Sequence, residues 1–267
     1  MEESKSISLY ESDKKNIYYE DIVKALKSLG IKKGDTLLVH SDVSVFGKPI
    51  RDKKLLLDSW VYALQEVVER DGTIVMPTFT YSFCNGKIYD NKKSRSTVGA
   101  LTEHFRNMEG VKRTIHPIFS FAIWGKNTEC LLDISKDSFD KNSLFGKIHS
   151  LGGKMVSIGA TFEAFTFMHY IEQSHGVPHR YTKVFKGTIV DNDKTYEDEY
   201  TYYVRNLEAN VIVNFERFEK YLKERNFICY ERLGNSNIIL TECNTVFEEG
   251  FKLLSQNPFY LLKENPF

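Results

Sequence analysis

The chain carries no surplus of either charge: 36 basic residues stand against 36 acidic ones. A nucleic-acid binder ordinarily shows a basic excess, so that partner class is not expected. A protein that gathers polycations tends to an acidic field, and the total does not show that either. Cysteine is scarce. Cys84, Cys130, Cys229 and Cys243 form no C-x-x-C pair and read as free thiols of a reducing, cytoplasmic compartment. No run approaches the roughly 18 apolar residues of a membrane span. The opening stretch MEESKSISLYESDKKNIYYE has no apolar signal core. G-x-G-x-x-G, Walker and G-x-S-x-G sequences are absent, which speaks against the common nucleotide loops and the hydrolase nucleophile elbow.

What is present is apolar patterning. Of 267 residues, 42% are hydrophobic and 13% aromatic, enough for a sizeable core. YYEDIVKALKSLG and RDKKLLLDSWVYALQEVVERDG repeat apolar residues every three or four and predict helices. GDTLLVHSDVS, GTIVMPTFT, HPIFSFAIWG and GGKMVSIGA predict short buried strands. SRSTVGALTEHFRN predicts a helix capped by Ser96 or Thr97, and FEAFTFMHYIEQSHG one ending near Gly176. From about residue 182 the texture changes to hairpins, about Asp191-Asn192-Asp193 and Gly234-Asn235, and two more helices. The expectation is α/β: a layered, mixed central sheet with flanking helices, and antiparallel strands and helices added in the C-terminal half. Residues 1–267 read as one domain, with 1–16 a mobile charged lead-in and 182–267 an elaboration.

Within FTFMHYIEQSHGVPHRY, His169 and Glu172 are three apart and share a helix face. A carboxylate on one imidazole nitrogen fixes the tautomer and leaves the other nitrogen a base. The same spacing also suits a structural ion pair. His175 raises the question of zinc. It lies six residues beyond His169, about 120° further round the helix, so one face does not easily serve all three groups. His40, Ser41, Asp42, Val43 and Ser44 lie at a strand exit, where open α/β sheets bind ligands. Thr78 ends the next strand, and Thr97, Val98 and Gly99 open a helix. Taken singly, ordinary turn and cap chemistry accounts better for each of these.

Five motifs in order, LLVHSDVSVFG, DGTIVMPTFTYSF, RSTVGALTEHFRNMEGVKRTIHPIFSFAIWG, SLFGKIHSLGGKMVSIGA and TFMHYIEQSHGVPHRY, resemble the aminoglycoside 3-N-acetyltransferase family. The resemblance runs from about residue 18 to 181. It implies an N-acyltransferase that uses acetyl-CoA or another acyl-CoA as co-substrate, without a metal. The family's T-x-x-H-x-x-E pattern is matched by Thr166, His169 and Glu172. It implies His169 as general base, Glu172 as its orienter and Thr166 as a candidate oxyanion donor. His40 through Ser44, Thr78 and Thr97 through Gly99 are the implied coenzyme contacts. Asp42 stands where the family often has a second serine.

The acceptor that the resemblance implies is a small-molecule amino sugar. Neutral net charge favours a nucleotide-linked amino sugar of surface polysaccharide (lipopolysaccharide-type) synthesis over a polycationic aminoglycoside. His116, Arg113, Arg180 and Tyr181, with His179 and Trp124, are expected to hold phosphates and a flat base. Lys92, Lys93 and Arg95 are further phosphate candidates, and YEDEY (residues 196–200) is the candidate acidic patch for the aminoglycoside alternative. A non-catalytic acyl-CoA-binding protein and a zinc hydrolase are the readings from other classes. No membrane partner is expected, and a homodimer is, by analogy of size and class.

Overall fold

The computed structural model describes residues 7–13 and 15–267. The chain opens with β1 (Ser8–Glu11), β2 (Asn16–Tyr18), α1 (Tyr19–Ser28), β3 (Thr36–Ser41), β4 (Lys48–Pro49), α2 (Lys53–Val68) and β5 (Thr73–Pro77). There follow β6 (Tyr89–Asp90), α3 (Ala100–Phe105), β7 (Lys112–Arg113), β8 (Phe121–Gly125), α4 (Thr128–Leu132) and α5 (Leu144–Ser150). The second half comprises β9 (Lys154–Ile158), α6 (Phe167–His175), β10 (Arg180–Asp191), β11 (Lys194–Arg205), α7 (Glu216–Glu224), β12 (Ile228–Leu233), β13 (Ser236–Glu242) and α8 (Cys243–Gln256).

The central sheet is mixed, in the order β12-β13-β9-β3-β5-β8-β7. β3 lies parallel to β5 and β9, whereas β8 and β13 join antiparallel. Alternating side chains divide two cores between its faces. Leu37, Val39, Ile74, Met76, Val156 and Ile158 meet α1 and α2 on one face. Leu38, Val75, Phe121, Ile123, Met155 and Ile239 meet α5, α6 and α8 on the other. His40 continues the alternation of Leu38. Its ring meets Phe165 at 5.3 Å, edge to face, so it points to the α6 side.

The N-terminal stretch differs from the expected lead-in. β1 pairs with β2 and β4, and Leu9 and Tyr10 are fully buried. The Tyr10 hydroxyl donates to Val43 O at 2.8 Å and accepts from the Trp60 indole at 2.8 Å. A strand this short, with polar residues on both sides, gives almost no periodic signal of its own. The rest of that expectation, residues 1–6 and 14, lies outside the described residues. The cap of α3 also differs: Gly99, at φ 143°, occupies it in place of Ser96 or Thr97.

The hairpin about residues 191–193 is a pair of twelve-residue strands, β10 and β11, and β6 adds parallel to β10. The last hairpin is part of the main sheet, because β13 pairs with β9 along its length. α8 then crosses α6 closely. A Cβ built on Gly250 would lie 3.0 Å from Ile171 Cδ1, so a larger residue there would have to push that side chain aside by a few tenths of an ångström. Among the described residues no helix is long and apolar enough to cross a membrane.

Candidate active site

A short turn leads from β9 through Phe165 and Thr166 into α6. Phe167, Met168 and Ile171 turn into the core and fix the rotation of the helix. That rotation places His169 and Glu172 together. Nδ1 of His169 lies 2.6 Å from Oε2 of Glu172. An ionised carboxylate only accepts, so Nδ1 carries the hydrogen and Nε2 keeps its lone pair. The imidazole side chain retains 19% exposure while the carboxylate has none. Phe139 and Phe215 flank the ring at 5.7 and 6.0 Å. Thr166 adds no cap: its hydroxyl makes one long contact to Ala164 O at 3.5 Å, while its carbonyl accepts from the His169 amide at 3.0 Å.

Glu172 has two further partners. Nε2 of His179 donates to Oε1 at 3.0 Å. Nε of Arg180 lies 2.8 Å from Oε2. Its N–H is not aimed along that line, so this is a contact of charges more than a directed hydrogen bond, and Nη1 donates to Tyr203 O at 3.3 Å. Burial alone would raise the Glu172 pKa, but the Arg180 charge and the bonds from both imidazoles hold it well below the usual carboxylate range. Burial pushes the His169 pKa below its ordinary value; Arg180 adds to the fall and Glu172 opposes it. His179 and Arg180 are thus not free to grip a substrate phosphate. The sequence signal for their true place is Gly176, whose left-handed φ of 77° ends α6 and turns the chain back. Behind the dyad, Gln173 and Thr201 both donate to Asp137, at 2.7 and 2.6 Å.

At the exit of β3, His40 is 5% exposed and neither ring nitrogen has a partner. Burial lowers its pKa to about 4, so it is neutral. The Ser41 hydroxyl is also buried and unpartnered. A Cβ on Gly99 would meet Ser41 O at 3.4 Å, so the start of α3 abuts this exit. Other members of the expected coenzyme set are already committed. Oδ1 of Asp42 accepts from the Ser44 amide at 3.1 Å and from its hydroxyl at 2.5 Å. Val43 is a core residue. Thr97 bonds Phe79 O at 3.0 Å, and Val98 packs on the α6-side core. Thr78 is fully buried and shares its hydroxyl with Ser120 at 3.0 Å.

The expected phosphate grip does not form. Arg113 spends its guanidinium on the Thr78 and Ser120 hydroxyls and on the carbonyls of Asn91, Ser94 and Thr78, at 2.6–3.1 Å. His116 is 1% exposed; its Nδ1 accepts from the Ile118 and Phe119 amides and burial lowers its pKa to about 3. Trp124 packs on the α1–α2 side. Tyr181 is half exposed, on β10. Arg95 and Lys93 are exposed and pair with Glu103 and Asp90. In YEDEY, Asp198 and Glu199 pair with Lys136 and Lys186, which removes most of its acidic character. His175 turns its ring to Phe251, 5.1 Å away. Among the described residues no three His, Cys, Asp or Glu side chains are grouped to hold a metal. A shallow groove of about 510 Å³ is lined by Tyr19, Val23, Lys27 and Glu66 on the opposite side of the sheet and contains none of these residues.

Residues 38–255 match the family model described as aminoglycoside 3-N-acetyltransferase. The SPbeta prophage-derived aminoglycoside N(3')-acetyltransferase-like protein YokD of Bacillus subtilis is 30% identical over 177 residues, 57% of this chain and 64% of that protein. The match thus spans just under two thirds of that relative. Aminoglycoside N(3)-acetyltransferase IV of Salmonella is 25% identical over 250 residues, 91% of this chain and 89% of the relative. Among solved structures, AAC-IIIb with CoASH superposes with a TM-score of 0.78 at 19% identity, over 93% of this chain and 98% of that one. The YokD structure gives 0.75 at 23% identity, over 96% and 97%.

Proposed function

The chain belongs to the aminoglycoside 3-N-acetyltransferase family, and on that premise we propose that it transfers an acetyl group from acetyl-CoA to an amino group of an aminoglycoside. The observation that carries the chemistry is the free Nε2 of His169, on a ring held through Nδ1 by Glu172 at 2.6 Å. A sugar ammonium has no lone pair. Nε2 takes one of its protons, and the neutral amine then forms the new C–N bond at the acyl carbon. Acetyl-CoA supplies a thioester carbonyl and, as the C–S bond breaks, a thiolate leaving group. The nitrogen, cationic once the C–N bond has formed, gives up a second proton as the C–S bond breaks; of the two protons taken from nitrogen one ends on the thiolate and the other passes to solvent, which returns the base. No nucleophilic side chain is needed. Glu172 stabilises the imidazolium formed in passing.

The coenzyme fits the β3 exit. The unpartnered Ser41 hydroxyl and the neutral, unpartnered His40 imidazole are buried polar groups of the kind a bound carbonyl or amide would satisfy. Gly99 removes a side chain where the acyl carrier's arm would pass. His40 and Thr166 are the candidate donors to the developing oxyanion.

The acceptor preference set by net charge is reversed. Relatives carry the aminoglycoside name, and the arginines meant for nucleotide phosphates, Arg113 and Arg180, are consumed inside the protein. The test is thiol release from acetyl-CoA with aminoglycosides bearing a 3-amino group and, in parallel, with nucleotide-linked amino sugars. Turnover of the first and not the second is expected; the reverse result overturns the substrate reading. His169→Ala is expected to lose roughly 10²-fold or more in kcat with coenzyme binding kept. Unchanged turnover removes the base, and absence of turnover in the wild type with every amine leaves the acyl-CoA-binding reading.

A further inference from the structure

Glu172 is fully buried, and a buried carboxylate needs a cation. Three groups reach it: His169 and Arg180 at Oε2, at 2.6 and 2.8 Å, and His179 at Oε1, at 3.0 Å. Only one of them is charged at every working pH. An imidazole that served as the counter-ion would hold a proton and have no lone pair to offer. We propose that Arg180 is a positioning residue that supplies the permanent counter-charge of Glu172, so that His169 stays neutral and ready to accept a proton from the incoming ammonium. This rests on the general-base reading of His169.

The surroundings leave the task to Arg180. From the loop before α5 comes Phe139, with Asp137 behind it held by Gln173 and Thr201. Phe215, at the entry to α7, is apolar. β11 contributes Tyr202 and Tyr203, whose pKa values are raised by burial, so both are neutral. Tyr203 donates to Val177 O at 2.7 Å. The His179 ring faces Phe259 at 6.0 Å. Its bond to the carboxylate fixes hydrogen on Nε2, and Nδ1 is buried without a partner. Burial and the Arg180 charge push the same way on His169, against the carboxylate that touches it, and its pKa lies below the ordinary histidine value.

Imidazole resonances of the full-length protein, titrated by NMR, read the charge of His169 without turnover. His169 is identified by the signal lost in His169→Ala. In the wild type its midpoint is expected below the ordinary value of about 6.5; a midpoint above about 7 overturns the proposal, whatever any variant does. Arg180→Gln is expected to raise the midpoint by roughly one pH unit or more, and the acid limb of kcat/KM moves to higher pH with it. Arg180→Lys restores most of the wild-type midpoint. A folded Arg180→Gln protein with an unmoved His169 midpoint also overturns it. If instead His169→Ala keeps full turnover, the base reading falls, while the NMR midpoints still decide what Arg180 does to the ring.

Discussion

The two faces of the central sheet are built from the same strands and have opposite chemistry. Towards α1 and α2 the core is mostly aliphatic, with Tyr10, Phe46 and Trp60 among its few aromatics, and its main buried polar chain, Trp60 to Tyr10 to Val43 O, is closed. Towards α6 the core is aromatic and holds His40, His116, Glu172, His179 and Arg180 with little or no exposure. Several nitrogens there have no partner. A face that only stabilises has no reason to accept the cost of desolvating titratable groups. The polar burden of the α6 face is the contrast to be tested against function, because the visible groove on α1 lies on the other.

Four substitutions test that contrast, in falling order of effect. Glu172→Gln keeps the shape but strips the charge that Arg180 needs. It is expected to abolish measurable turnover and to cost about 3–5 kcal/mol in urea unfolding. A variant as stable as the wild type would show that the two faces do not differ in this way. Tyr10→Phe, on the quiet face, leaves the Trp60 N–H without its acceptor and the Val43 carbonyl without its donor. About 1–3 kcal/mol of stability is expected to go, with kcat/KM unchanged.

The third test uses pH. The folded pKa values of His40 and His116 are depressed, to about 4 and about 3. The unfolded chain therefore binds protons first as pH falls. Their contribution is fully present above about 6.5 and is lost as pH drops through the folded values. The wild-type urea midpoint should fall between pH 6.5 and 4. His40→Leu should fall less steeply, by up to about one proton's worth of slope; an unchanged slope shows that His40 is not held neutral. The smallest effect is expected at Lys33, exposed and paired with Glu69 and Asp71 at 2.8 and 3.4 Å. Lys33→Ala should leave the urea midpoint unmoved, because water and salt screen such pairs; a clear shift would point to an ordered surface network.

The sequence made local features legible. β3, β5, β8 and β9 announce themselves as short apolar runs, and α6 by periodicity up to Gly176. The His169–Glu172 contact follows from helical spacing alone. What stayed hidden depends on chain reversal and on burial. Arg113 and Arg180 look like surface cations because arginine usually is one; only the folded chain reveals carbonyls around the first and a carboxylate under the second. β1 was hidden because a four-residue strand takes its meaning from the partners it meets. Net charge is a coarse guide to the acceptor because it sums over a surface and says nothing of the field at one ring.

The close crossing at Gly250 has a consequence for how activity is acquired during synthesis. α6 is seated by α8, and the strand that feeds it, β9, has β13 as one of its two neighbours in the sheet. Both supports follow α6 in the chain and are synthesised well after it. A nascent chain can already hold the histidine and its carboxylate, yet has nothing to lean them against. Competence should therefore arrive abruptly, only when α8 is free to dock.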